Sequence, residues 1–330
     1  MDKFISVVIP TLNSEATIVE CLDSIFSNMK PPPFEVIVVD GGSTDSTVQF
    51  VKKYPVKIIL DEKSKAAQRN VGVSQAEGDI IAFTDSDTRV AADWLSTLAR
   101  HFDDTSIAGV GGPNITPNED PFMARCFGVL MESFLGSTGV RNTVIYKSVC
   151  EVKHNPPVNS AVRKSAFKKA GGFAKGFEWS QDVMLDAKIK RLGGKLIYDP
   201  DMIVWHHRRK TLRGFIDQLI NYGRGRAAVF LRYPESLPFT YFCVAAFTLG
   251  TVLSIPLFIL AEFLRPVIAY GWLAYFSFVL LFSIYIAAKR RMVVLLIILP
   301  FLAFIEHFSL GLGFIMGLIN PYKEIAEKRL

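Results

Sequence analysis

Three apolar stretches close the chain, Phe239 to Leu264, Val267 to Ala288 and Met292 to Ile319. Each is long enough to cross a hydrocarbon core of roughly 30 Å, for which a helix needs about 20 residues. They set the organisation of everything else. A membrane region is expected over 237–330, with about three membrane helices, and the apolar excess behind the mean hydropathy of +0.28 gathers there. The third stretch holds Pro300, Glu306, His307 and several glycines. It reads either as a kinked span or as a re-entrant pair.

The connections between the stretches differ in charge. Lys289, Arg290 and Arg291 make the second strongly basic, whereas the first, Glu262 to Pro266, holds one Arg and one Glu. Basic loops stay on the cytoplasmic side, so the second connection and the preceding domain are expected there together, in a multi-pass protein of the cell membrane. Phe4 to Pro10 is too short for the core of a signal peptide and follows Asp2, so it is read as a first strand. Between domain and membrane, residues 211–236 interleave Leu212, Phe215, Ile216, Leu219, Ile220 and Phe230 with Arg213, Arg224, Arg226 and Arg232. That is the pattern of a basic amphipathic helix, or a pair of helices, lying in the interface. The net charge of +6 is concentrated in these juxtamembrane groups and at Arg208 to Lys210. Such placement suits anionic headgroups or a diphosphate, and no nucleic-acid motif accompanies it. Cys21, Cys126, Cys150 and Cys243 lie far apart without CxxC spacing, which suggests neither zinc nor a disulfide framework.

Before residue 211 the periodicity is that of an α/β domain. Ser6 to Ile9 is a strand ended by Pro10, after which Ser14 can cap a helix with Ile18, Cys21, Leu22, Ile25 and Phe26 on one face. Phe34 to Val39 is a second, wholly covered strand ended by Asp40. A Gly-Gly turn leads to Ser43, Thr44 and Asp45, then Lys57 to Leu60 forms a third strand and Lys65 to Ala76 a polar helix. Asp79 to Phe83 is a fourth strand that runs into Thr84-Asp85-Ser86-Asp87. In open parallel sheets ligands bind beyond the carboxyl ends of the strands, where Asp40, Asp85 and Asp87 fall. After Gly109 the pattern loosens towards Thr143, with a helix near Met123 to Phe134. Regular elements resume with helices over Lys164 to Gly172 and Ser180 to Leu192, then strands over Lys195 to Tyr198 and Met202 to Trp205.

An Asp-x-Asp at a strand end is a common turn former, but its hard oxygens also suit Mg²⁺ or Mn²⁺. Here it has company. SVVIPTLNSE from Ser6, VIVVDGGSTDST from Val36, AQRNVGVSQAEGDIIAFTDSDT from Ala67 and SQD from Ser180 together resemble the family 2 glycosyltransferases of GT-A fold, over about residues 4 to 210. The resemblance implies a Rossmann-like, mostly parallel sheet in a catalytic domain over 1–210. It further implies that Pro10, Thr11, Glu15, Asp40, Asp45, Arg69 and Asp85 hold a nucleotide-sugar. Asp85 and Asp87 match the metal motif, with His207 as a third ligand, and Asp182 matches the catalytic base. His206, Arg208, Arg209, Asn159 and Gln181 are assigned to the diphosphate or the acceptor. Two residues depart from the family pattern: Gly41 stands where a second Asp is common, and Gln181 where a Glu usually precedes the base.

These matches imply inverting transfer of a sugar from a UDP- or GDP-sugar to a lipid-linked or membrane-presented acceptor, with Mg²⁺ or Mn²⁺ as cofactor. No QxxRW motif of processive synthases follows the base, so one sugar is expected per encounter. Two alternatives stay open: a polyprenyl-phosphate sugar synthase, whose acceptor is itself a phosphate, and a membrane-tethered binding protein with an inactive domain. As a plain residue, Asp182 would more commonly cap a helix start, and Glu178 is its nearest competitor as base.

Overall fold

The computed structural model describes residues 3–61, 64–137, 146–174 and 179–321. These form two compact units: residues 1–117 with 145–207, and residues 118–144 with 208–330.

The first unit is built on an eight-stranded sheet. Four strands, β1 (Ile5–Thr11), β2 (Phe34–Asp40), β3 (Lys57–Leu60) and β4 (Ile80–Thr84), run parallel in the order β3-β2-β1-β4. Every residue of β1 is buried, because helices cover both of its faces. Ile5, Val7 and Ile9 point into one layer with Ile18, Leu22 and Ile25 of α1 (Ile18–Phe26), while Val8 points into the other with Ala66 and Val73. Burying each such aliphatic side chain contributes about 1.5–3 kcal/mol. Two further helices connect the strands, α2 (Thr47–Val51) and α3 (Lys65–Gln75). In α3 the layer is so close that a Cβ added at Gly72 would strike Val8.

Past β4 come a short strand β5 (Thr88–Val90), helix α4 (Trp94–Arg100), and strands β6 (Ile107–Gly111), β7 (Asn114–Ile115), β8 (Cys150–Glu151) and β9 (Asn159–Arg163). Strand β9 lies antiparallel between β4 and β6. This central strand and β6 fall where the sequence pattern loosens. NSAVR and IAGVG carry few branched residues, because tight packing selects small ones there: a Cβ on Gly109 would press on the Ala161 carbonyl. The unit closes with α7 (Lys164–Lys169), α8 (Gln181–Arg191), β10 (Lys195–Tyr198) and β11 (Val204–His206). Strand β10 completes the sheet between β6 and β8, and β11 forms a small second sheet between β5 and β7. Its register sets His206 opposite Thr88, one residue past the Asp-x-Asp.

The second unit is helical. It holds α5 (Phe122–Met131), α6 (Phe134–Ser137), α9 (Leu212–Arg232), α10 (Thr240–Leu260), α11 (Arg265–Arg290) and α12 (Leu295–Ile319). Helices α5 and α6 lie within the 1–210 span yet pack here, with Phe127 stacked on Phe215 at 4.3 Å. Helix α9 is continuous and lies along α12, where Gly223, Gly313 and Gly317 let the backbones meet. Helices α10, α11 and α12 are long and apolar enough to cross a membrane. The third apolar stretch is one helix through Pro300, not a re-entrant pair.

Candidate functional site

The loops that follow β1, β2 and β4 are stitched to one another. Asn13, held at a positive φ of 49°, donates its N–H to Ser43 Oγ and accepts from Thr44 N–H at 2.9 Å. Ser14 donates its N–H to Thr47 Oγ1, and its hydroxyl meets that of Ser86 at 2.8 Å. Glu15 accepts from Ser46 N–H and donates its own N–H to Asp45. Asp45 in turn accepts from the Thr47 N–H and hydroxyl. The small residues of TLNSE and GGSTDST therefore shape a polar shelf at the carboxyl ends of the strands. Asp40 is buried at its foot, accepting from the N–H groups of Gly42 and Ser43 and from the Ser43 hydroxyl. Pro10 and Thr11 end β1 beneath it, and the Thr11 carbonyl accepts from Gly41 N–H and Gln68 Nε2.

On this shelf Asp85 is gripped by two cations. Arg69 donates to Oδ1 at 2.6 Å and Lys65 to Oδ2 at 3.0 Å. Lys65 and Arg69 are four apart on α3, so one helix face presents both. Burial alone would raise the pKa of Asp85, but Lys65, Arg69 and His206 outweigh it and hold the carboxyl well below its usual range. Burial likewise opposes charge on Asp87, and His206 with Lys65 overcomes it. His206 Nε2 lies 3.4 Å from Asp87 Oδ1. Asp85, Asp87 and His206 can each offer one ligand atom, all within 4.8 Å of one another.

The donor set fits a divalent cation: two hard carboxylates and an imidazole on a polar shelf. Buried polar atoms support the same reading. Thr11 Oγ1, Asp61 Oδ2, Arg69 Nε and Asp87 Oδ1 find no hydrogen-bond partner among the described residues. Thr11 and Asp61 stand at or just past the ends of β1 and β3 and Asp87 follows β4, while Arg69 reaches Asp85 from α3 as a donor suited to an anionic ligand. Native interiors rarely leave such atoms unsatisfied unless a ligand or ion completes them.

Asp182 sits in the first turn of α8. The residue before the helix, Ser180, takes a positive φ of 62°. Asp182 Oδ2 lies 3.4 Å from His154 Nε2, and the far nitrogen of the same ring lies 2.8 Å from Asp186 Oδ2. Asp182 and Asp186 border a small cavity with Phe83, Asn155 and Phe173. Phe173 connects this place to α3: Asn70 makes two hydrogen bonds with its backbone, and Arg69 lies over its ring at 5.7 Å. Arg69, which grips Asp85, thus also packs on Phe173, which lines the cavity that Asp182 borders.

Other expected residues land differently. His206, not His207, faces the aspartates; neighbouring strand residues point to opposite faces, and His207 instead meets Glu20 at 3.1 Å. Asn159, expected at the acceptor, is fully buried, accepting from Trp94 Nε1 and donating to the carbonyls of Pro113 and Met202. Gln181 is buried at the start of α8. Arg208 belongs to the helical unit, where its N–H donates to Asp120 and its side chain approaches Glu132; Arg209, in the same unit, is exposed. Glu178, the nearest rival to Asp182 as base, lies outside the described residues. Lys65, Glu20, Ser86, His154 and Asp186 were not anticipated. The four-residue spacings of Lys65 with Arg69 and of Asp182 with Asp186 were available signals, whereas nothing local to His154 marks it.

A family model described as glycosyl transferase family 2 matches residues 6–171. The pre-mycofactocin glycosyltransferase of Mycobacterium tuberculosis (strain H37Rv) is 28% identical over 236 residues, 70% of this chain; the chain spans 48% of that protein, about half its length. A dolichyl N-acetyl-α-D-glucosaminyl phosphate 3-β-D-2,3-diacetamido-2,3-dideoxy-β-D-glucuronosyltransferase of Methanococcus voltae is 26% identical over 96% of this chain and 98% of its own. Among solved structures, the mannosyltransferase PcManGT from Pyrobaculum calidifontis, in complex with GDP-Man and Mn²⁺, shares the fold with a TM-score of 0.58 at 19% identity. That match covers 96% of this chain and 87% of the other.

Proposed function

Since this chain belongs to glycosyl transferase family 2, we propose that it transfers a sugar, with inversion, from a nucleotide-sugar to a hydroxyl of a lipid-linked acceptor, one sugar per encounter. The observation that carries the proposal is the Asp85, Asp87 and His206 cluster beside Lys65 and Arg69, set at the strand ends of the family domain. A lipid-linked sugar as acceptor is supported by the Methanococcus relative, which spans both chains almost whole and whose name specifies a dolichyl phosphate-linked sugar.

The reaction asks each residue for a definite task. The shelf of Thr11, Glu15, Asp40 and Asp45 receives the nucleoside portion of the donor. Asp85, Asp87 and His206 would hold Mg²⁺ or Mn²⁺, which when bound neutralises the diphosphate as it departs. Lys65 adds positive charge on the same side. Asp182 accepts the acceptor's hydroxyl proton while that oxygen bonds to the anomeric carbon, and the electron pair of the breaking carbon–oxygen bond leaves with the nucleoside diphosphate. One displacement from the face opposite the leaving group inverts the anomeric centre.

The decisive experiment is single-turnover transfer by detergent-solubilised protein with Asp182→Asn, after a screen of UDP- and GDP-sugars with Mn²⁺. A sugar hydroxyl needs a base, so turnover should fall on the order of 10²-fold or more while donor binding persists. A phosphate acceptor is already ionised near neutral pH and would show a much smaller loss. Near-wild-type transfer removes Asp182 as base.

A further inference from the structure

We propose that His154 is the positioning residue for Asp182: clamped between Asp186 and Asp182, it orients the Asp182 carboxylate and keeps it ionised until an acceptor arrives. The inference rests on Asp182 being the base.

The geometry is a chain of three side chains. Asp186 Oδ2 holds His154 Nδ1 at 2.8 Å and also accepts the Asn155 N–H at 2.8 Å, so this end is anchored to backbone. His154 Nε2 faces Asp182 Oδ2 at 3.4 Å. The two carboxylates stand four residues apart on α8, and the ring fits between them. Side-chain exposure is 11% for Asp186, 8% for His154 and 20% for Asp182, so Asp182 is the most open of the three. An anchored ring behind a more open carboxylate is the arrangement of an orienting group behind a reacting one.

The charge state follows from the donors. A neutral imidazole carries one N–H, so one of its nitrogens would aim a lone pair at a carboxylate; the imidazolium donates to both. Asp182 and Asp186 are the carboxylates that act most strongly on the ring. Burial opposes charge on His154, but the two carboxylates together hold its pKa above the ordinary value. Burial raises the pKa of Asp186 and the His154 pairing opposes it; with the ring protonated and both carboxylates ionised the trio carries one net negative charge, most open at Asp182. When Asp182 takes the acceptor's proton, an Asp186–His154 ion pair remains and no uncompensated charge is left buried. Without the imidazolium, two carboxylates share one face and the pKa of Asp182 rises.

The test uses full-length protein in detergent, with transfer followed against pH and donor binding measured by calorimetry in Mn²⁺. For His154→Gln, kcat should fall about tenfold or more, with the acid limb displaced upward by about one pH unit. Donor affinity should stay within about twofold, because the shelf and its cations are untouched. In an Asp182→Asn background, His154→Gln should add nothing further, since residues that act as a unit are non-additive. Asp186→Asn, which preserves shape, should also lower kcat at unchanged donor affinity. Wild-type kcat and acid limb in donor-binding His154→Gln would overturn the proposal, as would an undiminished effect in the Asp182→Asn background. Should Asp182→Asn itself transfer normally, the base assignment fails. Should Asp182→Asn collapse while His154→Gln does not, only the role of His154 is lost.

Discussion

The carboxylates of the first unit differ in how fully the protein's own groups occupy their oxygens. Asp40 accepts from N–H and hydroxyl groups of its own turn and Asp45 from Thr47 and Glu15, whereas the buried Oδ1 of Asp87 faces the His206 ring at 3.4 Å. We therefore expect Asp87→Ala to abolish Mn²⁺-dependent donor binding, measured by calorimetry, while thermal unfolding stays close to wild type. Asp85→Ala should do the same with a larger structural effect, because it also frees Arg69 and Lys65. Unchanged donor affinity in either variant would remove the metal assignment. Asp199 provides the opposite case, a buried carboxylate with a structural task. It pairs with His101 and Arg100 and accepts the Asp201 N–H. Burial opposes its charge, but these partners outweigh burial and lower its pKa. The stabilisation is therefore complete above the ordinary carboxylate pKa of about 4 and is lost as pH falls through the lowered value. Asp199→Asn should cost about 1–3 kcal/mol near pH 7 in thermal denaturation, and the gap should close on acidification. A gap that persists at low pH would show that charge is not what matters there. At this scale the sequence was informative where a motif is contiguous: the Asp-x-Asp and the loop after β2 could be read directly. The choice of His206 over His207 depends on strand facing and register, and the His154 pairing joins segments with no shared pattern. Neither leaves a local signature.

Elements were read best where apolar periodicity was strong. Strands β1 to β4 and β10, and helices α1, α3 and α8, lie where their β-branched runs or amphipathic faces predict. Strands β6 and β9 escaped because close contacts in the sheet select glycine, alanine and serine, which carry no strand signal. Helix α9 was recognised from its basic amphipathic face, but its neighbour was not. Its apolar residues pack on α12, and a Cβ at Gly223 would collide with the Leu310 carbonyl, one at Gly313 with that of Ile220. Small residues that let backbones approach are a recurring way of joining helices where lipid removes the hydrophobic driving force. Gly223→Ala and Gly313→Ala should each destabilise the helical unit by about 1–3 kcal/mol, the usual cost of overpacking. Gly250→Ala and Gly271→Ala, where nothing stands within 4 Å, serve as controls and should leave melting in detergent unchanged. Equal behaviour of the two pairs would mean that the α9–α12 contact contributes nothing.

At the scale of the whole chain the three apolar helices differ in how far protein covers them. Helices α10 and α11 are almost uncovered by protein, with Leu253, Ile259, Val267, Leu273 and Leu281 among the exposed side chains. Surfaces of that extent require an apolar surrounding. Helix α12 is nearly half buried, against α9 and α5 among others, so protein contacts hold it. The turn after α11 carries Lys289, Arg290 and Arg291, with Arg290 paired to Glu132 at 3.1 Å, whereas the turn between α10 and α11 offers Glu262 and Arg265 joined to each other. Positive charge resists export across the membrane, so we infer that the turn at 289–291 is cytoplasmic and the turn at 262–265 external. With exposed Cys243 first replaced by Ser, Glu262→Cys should react in intact cells with a membrane-impermeant maleimide. Arg291→Cys should react only after permeabilisation. Arg291 suits this better than Arg290, because it ends the helix and its replacement leaves the Glu132 pair in place. Reaction of both positions from outside would mean that α11 does not span. The reverse pattern would invert the topology and place the turn at 289–291 outside the cell.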